Sequence, residues 1–232
     1  MISFPQLIKK VLTLYATHFK TLFPLLALSI IWNIALGVTF VSIPESFRLL
    51  FPVMAGSLLV SAITELLLVN AFVHFEDGTL MRIREIITKS LKNLPWFLLL
   101  LVLWGIFIIV GLTFLVIPGI IFATWFMFWP TVFVVEHGRG FSVFHKSKAL
   151  VAGHFFPLLL QASTTFLGVF FIINAAGQGF FSLGQLVIPP EARGIFETIS
   201  HIFNSTISAL GLPIVTGTIV TLYYEMRKIK AT

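Results

Sequence analysis

Glu65 is the residue of this chain best placed to do chemistry, because it is a carboxylic acid inside a long apolar segment, Phe51–Phe75. An ionised carboxylate is costly at that depth of a bilayer, so it must stay protonated or face protein or water. No Lys or Arg lies inside any apolar segment, and counting from the loops places Asn33 at a similar depth. Two interpretations stay open. Glu65 titrates or binds a substrate, or it is a protonated group whose hydrogen bond to Asn33 or a backbone carbonyl holds two spans together.

The histidines and the other acids form no recognisable catalytic or metal-binding pattern. Most of the six His residues fall near Glu76 or Glu136, but no pair has the spacing with an acid that a zinc-binding helix needs. The absence of Cys excludes thiolate chemistry. The chain also lacks a Gly-x-Ser-x-Gly elbow, a phosphate-binding glycine loop and a paired-carboxylate signature. We therefore expect no catalytic residue, no metal, no cofactor and no enzymatic activity.

Six apolar segments carry most of the chain and would have to position these groups. They are Thr21–Ile43, Phe51–Phe75, Leu94–Val116, Ile120–Val135, Phe155–Ala176 and Ile199–Tyr224. Most reach the length of about 20 residues with which a helix crosses about 30 Å of hydrocarbon. The turn Ile117-Pro118-Gly119 predicts a hairpin of the third and fourth segments. With 58% hydrophobic and 10% charged residues, the sequence predicts an all-α protein with six transmembrane helices and a single transmembrane domain over residues 1–232.

The distribution of charge predicts an orientation. Of the 15 Lys and Arg residues, all but Arg48 and Arg193 fall on the side of the segments that also holds both termini. The positive-inside rule places this side, and hence both termini, in the cytoplasm. The first twenty residues do not have the pattern of a cleavable signal peptide. A net charge of +6 on this face suits anionic lipid headgroups. It does not suit nucleic acid, because the basic residues are spread over four separate stretches.

Three basic amphipathic stretches precede the first, third and fifth apolar segments. Apolar residues recur at three- and four-residue steps from Phe4 to Phe19 and again from Leu80 to Leu94, and less regularly from Phe141 to Val151. Such helices lie in the membrane interface with Lys and Arg toward phosphates, so we expect about three on the cytoplasmic side. The candidate headgroup contacts are Lys9, Lys10, Arg82, Arg84, Lys89, Lys146 and Lys148. The stretches either only anchor the spans or bind lipid, a protein partner or a second copy of the chain.

The stretches also suggest a threefold internal repeat over residues 1–76, 77–136 and 137–232. In each unit an amphipathic stretch leads to an apolar segment opened by a Pro, and the next segment ends in a Glu. The Pro residues are Pro24, Pro95 and Pro157, and the acids are Glu76, Glu136 and Glu225. Internal duplication is common in multi-span proteins.

Two further features bear on function. The sixth segment holds Gly211, Pro213 and Gly217, which predict a kink and close packing, and a kinked polar helix could also line a cavity. The outward connection Gly177–Ser200 is expected to be a surface flap or a lid.

The second half of the chain resembles the YciC-like bacterial inner-membrane proteins, which are related to the membrane domain of some glycerophosphodiester phosphodiesterases. The resemblance rests on Ile117–Ile121, Val134–Gly138, His145–Gly153 and Leu222–Arg227. The sequence departs from the family at Lys148, where the family usually has Trp. The resemblance implies a location in the bacterial cytoplasmic membrane. It implies no phosphodiesterase activity, because that domain is absent from the sequence.

These patterns favour a non-enzymatic integral inner-membrane protein with a structural, assembly or lipid and envelope-homeostasis role. The alternative is a small transporter or channel that uses Glu65 and the kinked sixth helix.

Overall fold

The computed structural model describes residues 2–42, 50–79, 81–114 and 116–231. The structure is about 90% helix, with no strand among the described residues. Arg48 and Leu80 lie outside those residues. The helices are α1 Phe4–Thr17, α2 Phe19–Ser42, α3 Leu50–Glu76, α4 Ile83–Phe114, α5 Val116–Trp125, α6 Trp129–Glu136, α7 Ser142–Val151, α8 Phe155–Val187 and α9 Arg193–Ala231. A 3-10 turn, Pro190–Ala192, joins α8 to α9.

Six helical stretches are long and apolar enough to cross a membrane, which confirms the expected class of integral membrane protein. They are Phe19–Leu36, Pro52–Glu76, Ile83–Thr113, Val116–Glu136, Phe155–Val187 and Arg193–Ala231. Each also exposes large apolar side chains, for example Ile31, Met54, Ile109, Ile117, Ile172 and Leu212. Apolar surface of this extent suits contact with lipid rather than water.

Two of the three amphipathic stretches form short separate helices, α1 and α7. Part of each apolar stripe packs on protein, since Leu7 and Val11 of α1 and Val143 of α7 are fully buried. The second stretch is not separate, because it forms the first part of α4, which continues through Pro95. Membrane helices tolerate an interior Pro when neighbours satisfy the freed carbonyl. A location of these helices in the membrane interface stays a prediction.

The Pro residues expected to open three spans occupy different positions in their helices. Pro157 lies in the first turn of α8, where a missing N–H costs little. Pro24 and Pro95 instead lie inside α2 and α4. The three proposed units therefore differ at this position, and the internal repeat stays a prediction.

The third and fourth segments form a hairpin, but its turn comes earlier than expected. α4 ends at Phe114 and α5 begins at Val116, so Pro118 lies in the first turn of α5. Gly111 and Gly119 let the two helices approach closely, since a Cβ on Gly111 would lie 2.9 Å from the Gly119 Cα. The small residues at this crossing explain why the turn itself can be so short.

The fourth span is broken between α5 and α6. Ser147 of α7 fills the break: its hydroxyl accepts from the Phe128 N–H at 3.2 Å and donates to the Trp125 carbonyl at 2.8 Å. A backbone break at membrane depth is tolerated only where protein satisfies its polar groups. The packing of α7 against the bundle therefore satisfies the backbone groups at this break.

α8 and α9 replace the connection expected over Gly177–Ser200. They have 33 and 39 residues, roughly 50 and 60 Å at about 1.5 Å per residue. About 30 Å would cross the hydrocarbon of a bilayer. We call their paired far segments, 175–187 and 193–207, the arm. α9 continues as one helix through Pro213, so the expected kink position does not end the helix.

The buried core lies toward one end of the bundle, which we call the basic end. There α1 and α7 pack against the ends of α3, α6 and α9. The largest fully buried side chains in this region include Leu7, Leu26, Phe72, Phe97, Phe128 and Tyr223. The core thus holds together the parts of the molecule that carry most of the charge.

Candidate functional site

Glu76, the last residue of α3, joins three helices at the basic end. One of its carboxylate oxygens accepts from Lys10 Nζ of α1 at 2.7 Å, and the other accepts from the Thr221 hydroxyl of α9 at 2.8 Å. The Glu76 side chain is only 7% exposed. A charge held this far from water depends on its partners, because an uncompensated buried charge is strongly destabilising.

Glu136, the last residue of α6, makes a second contact of the same kind. It accepts from Lys146 Nζ of α7 at 2.6 Å and from the Tyr223 hydroxyl of α9 at 3.2 Å. Tyr223 is fully buried, so the carboxylate supplies the partner that its hydroxyl needs. This ion pair is the more open of the two, with side chains 48% and 29% exposed, and we expect it to contribute less.

A third hydroxyl of α9 completes the pattern, since Tyr224 donates to Asp77 at 2.8 Å. We call this set the α9 junction: Glu76, Asp77, Glu136, Thr221, Tyr223 and Tyr224. In the sequence, both Glu residues stand at the ends of apolar segments and the Tyr pair belongs to a motif. Neither pattern predicted that these side chains contact one another. The tail of α9 is held further by Lys230, which donates to the Ala152 carbonyl at 2.9 Å.

The histidines at this end do not assemble a metal site. His74 pairs through Nδ1 with the Thr79 hydroxyl at 2.9 Å. His18 stacks on Phe75, with ring centroids 3.9 Å apart. Among the described residues, no group of three His, Asp or Glu side chains could hold a metal ion.

The candidate headgroup contacts fall into two groups. Lys10 and Lys146 are occupied by the ion pairs above. The other five form no ion pair within the described part of the chain, and one of them, the exposed Lys148, has its ammonium 4.0 Å from the centre of the Trp125 ring. Of these, Lys9, Arg82 and Arg84 are exposed and Lys89 is half-buried. The residues free to meet phosphate are therefore fewer than the sequence suggested.

The structure does not bring Asn33 and Glu65 together. The Asn33 amide donates to the Ser29 carbonyl of its own helix at 2.8 Å. The neighbouring Trp32 indole donates to Ser57 Oγ at 3.1 Å, which sets Asn33 near the level of Ser57. Ser57 and Glu65 are about 12 Å apart along α3. The expected pairing fails because depth counted from loops does not fix how two antiparallel helices are offset.

Glu65 is half-buried on α3. It lies on the same stripe of α3 as Phe72 and Glu76, at seven- and four-residue steps. Phe72 packs where α9 has Gly217, since a Cβ there would lie 2.7 Å from the Phe72 ring. The Glu65 carboxylate has no hydrogen-bond or ion-pair partner among the residues that the structure covers.

Comparison with family models, with curated proteins and with solved structures finds no match to this chain. The resemblance to the YciC-like proteins therefore stays a prediction from the motifs.

Proposed function

We propose that this protein binds anionic lipid at its basic end and has a non-enzymatic structural, assembly or envelope-homeostasis role in the membrane. The observation that supports this proposal is that the acids of the α9 junction are bonded within the protein, whereas several basic residues at the same end are exposed and have no acidic partner among the described residues. Each acid of the α9 junction is bonded within the protein. Lys9, Arg82 and Arg84 are exposed and have no acidic partner in the described chain. Cations beside membrane spans and free of acids attract headgroup phosphates.

We propose that the basic end lies in the cytoplasm of a bacterial cell, with the chain in the cytoplasmic membrane. The positive-inside rule supports this orientation, and the family resemblance supports the bacterial location. Because the chain has no Cys, single cysteines can report it. We expect an impermeant thiol reagent applied outside intact cells to label Ser182→Cys on the arm and not Thr13→Cys on α1. Labelling of Thr13→Cys alone would reverse the orientation.

Lipid binding is tested by the triple variant Lys9→Gln, Arg82→Gln, Arg84→Gln. Each basic residue near an anionic surface contributes about 1 kcal/mol, or roughly fivefold in affinity. We expect the ratio of phosphatidylglycerol to phosphatidylcholine retained through detergent purification to fall, as measured by mass spectrometry of the extracted lipid. The matched control, Lys9→Arg, keeps the charge and should keep the ratio. An unchanged ratio in the triple variant would reject the proposal.

A small transporter or channel is the second candidate function, and one observation favours it. Glu65 is half-buried inside a membrane-spanning stretch and has no hydrogen-bond or ion-pair partner among the described residues. An ionisable group inside a span is a candidate for carrying protons or binding substrate.

A further inference from the structure

A lateral groove lies between α5, α8 and α9, outside the α9 junction. Its volume is about 470 Å³, within the range of about 300–1,000 Å³ typical of small-molecule sites. Its lining includes Ile120 and Ala123 of α5, Met127 in the turn after α5, Leu159 and Ala162 of α8, and Thr218 of α9. Ala123 and Ala162 leave the space where larger side chains would bring α5 and α8 into contact.

The lining of the groove is mostly apolar. The hydroxyls of Thr124, Thr165 and Thr218 each donate to a carbonyl of their own helix, at 2.9, 3.0 and 2.8 Å. The break between α5 and α6 beside Met127 is satisfied by Ser147. Ser163 adds one further small hydroxyl. A polar occupant would thus lose bonds to water and regain few, so the groove suits a hydrocarbon.

The position of the groove puts that hydrocarbon inside the bilayer. All three flanking helices belong to membrane-spanning stretches. From Ile120 to Thr124 the groove runs about 6 Å along α5, about a fifth of the hydrocarbon thickness, and it continues to Met127 in the turn after α5. Its rims are open to the side, since Ile120 is 42% and Phe166 57% exposed. Lipid can therefore enter laterally from one leaflet.

The Lys148 side chain lies beside the end of the groove that is nearer the basic end. The Lys148 ammonium lies 4.0 Å from the centre of the Trp125 ring, and Trp125 directly follows Thr124 in the groove wall. Lys148 is exposed, and the described acids at this end do not neutralise it: Glu136 is bonded to Lys146 and Tyr223. An anionic headgroup above the groove would meet this charge.

We propose that the groove binds one acyl chain of an anionic phospholipid whose headgroup lies at Lys148. The headgroup assignment rests on the proposed function, whereas the occupation of the groove does not.

The test uses phosphatidylglycerol or phosphatidylcholine with a photoreactive group on the acyl chain, each in trace amount in mixed vesicles of the two lipids carrying the full chain. We expect adducts concentrated on peptides 120–127 and 159–166, with more from phosphatidylglycerol. Ala162→Trp fills the groove and should abolish those adducts. Leu160→Trp, a matched change at a 69% exposed position on the same helix, should preserve them. Ser163→Leu serves as a second filling variant if Ala162→Trp unfolds.

The outcomes distinguish the occupation of the groove by an acyl chain from the headgroup contact at Lys148. Adducts spread evenly over exposed positions of α4 and α8, or cross-links between two copies through peptides 120–127, would overturn the groove assignment. Groove adducts lost with Lys148→Gln and kept with Lys148→Arg support the headgroup contact, and equal loss in both variants opposes it. Groove adducts from both lipids without preference overturn the headgroup assignment and count against the proposed function, while the acyl groove stands.

Discussion

The two ends of this molecule are held together in different ways. At the basic end, five helices meet through the α9 junction and its two lysines, with donor–acceptor distances from 2.6 to 3.2 Å. In the arm, α8 and α9 pack through aromatic rings: Phe180 stacks on Phe203 with centroids 4.3 Å apart and also contacts Phe196. Within the described residues, no side-chain hydrogen bond joins the two helices of the arm.

This difference indicates which contacts fix the relative positions of the helices. A hydrogen bond needs a distance and an angle, so the junction fixes the rotation of α9 relative to α3 and α6. Aromatic rings pack favourably in both offset-stacked and edge-to-face arrangements, so the helices of the arm can adjust their relative position more readily. We therefore expect substitutions at the basic end to cost more than equivalent substitutions in the arm.

The largest effect is expected from Lys10→Met, which leaves the Glu76 carboxylate nearly buried with one neutral partner. Breaking a buried ion pair costs about 3–5 kcal/mol, and the partial exposure of Lys10 reduces our expectation to about 2–3 kcal/mol. Equilibrium unfolding in mixed micelles measures the loss. The control is Lys228→Met, whose pair with Glu225 has a lysine 69% exposed and should cost below about 0.5 kcal/mol. Equal losses would mean that the junction contributes no more than a surface pair.

The next effect compares two close helix contacts. A Cβ on Gly217 would lie 2.7 Å from the Phe72 ring and 3.1 Å from Val11 Cγ1, where three helices meet. Gly217→Ala would therefore overpack this contact, and overpacking of this kind costs about 1–3 kcal/mol. Gly184→Ala in the arm would meet Phe196, but there the helices can separate without breaking a side-chain hydrogen bond, so we expect a smaller loss. The same unfolding assay checks both variants, and a larger loss for Gly184→Ala would reverse the comparison.

The smallest effect concerns Glu65, which lies between the two ends. If it is only a packing group, Glu65→Gln and Glu65→Leu should both change stability by less than about 0.5 kcal/mol, because the carboxylate has no hydrogen-bond or ion-pair partner to lose among the described residues. If it carries protons, the Gln variant should fold normally and lose function, because an amide does not titrate near neutral pH. Unfolding and complementation of a deletion strain measure the two properties. A stable, inactive Glu65→Gln protein would favour the transporter over the proposed structural role.

The spans were predictable because hydropathy over about 20 residues is a local property. The arm was not predicted, because the apolar segments were expected to be separated by a connection from Gly177 to Ser200. α8 instead continues through Gly177, which lies against Asn204 of α9. The turn after α4 was misplaced because Pro118 fits the first turn of a helix as well as it fits a loop.

The α9 junction could be predicted only in part. Glu76 and Glu136 stood out as acids at the ends of apolar segments, but their hydroxyl partners Thr221 and Tyr223 lie 145 and 87 residues away. No periodicity links positions so far apart, and only the packing of α9 between α3 and α6 brings them together. The expected pair of Asn33 and Glu65 was wrong because the offset between α2 and α3 is likewise set by packing and not by the local sequence.

The junction has a consequence for biosynthesis. α9 follows α3 and α6 in the chain, so the ribosome completes both acids before it makes Thr221, Tyr223 and Tyr224. Until then Glu76 has Lys10 as its partner but lacks Thr221, and the side of Phe72 that packs at Gly217 is uncovered. A chain stalled before α9 would therefore present a half-bonded Glu76 carboxylate and an uncovered apolar face at Phe72, and both would persist until α9 packs against α3.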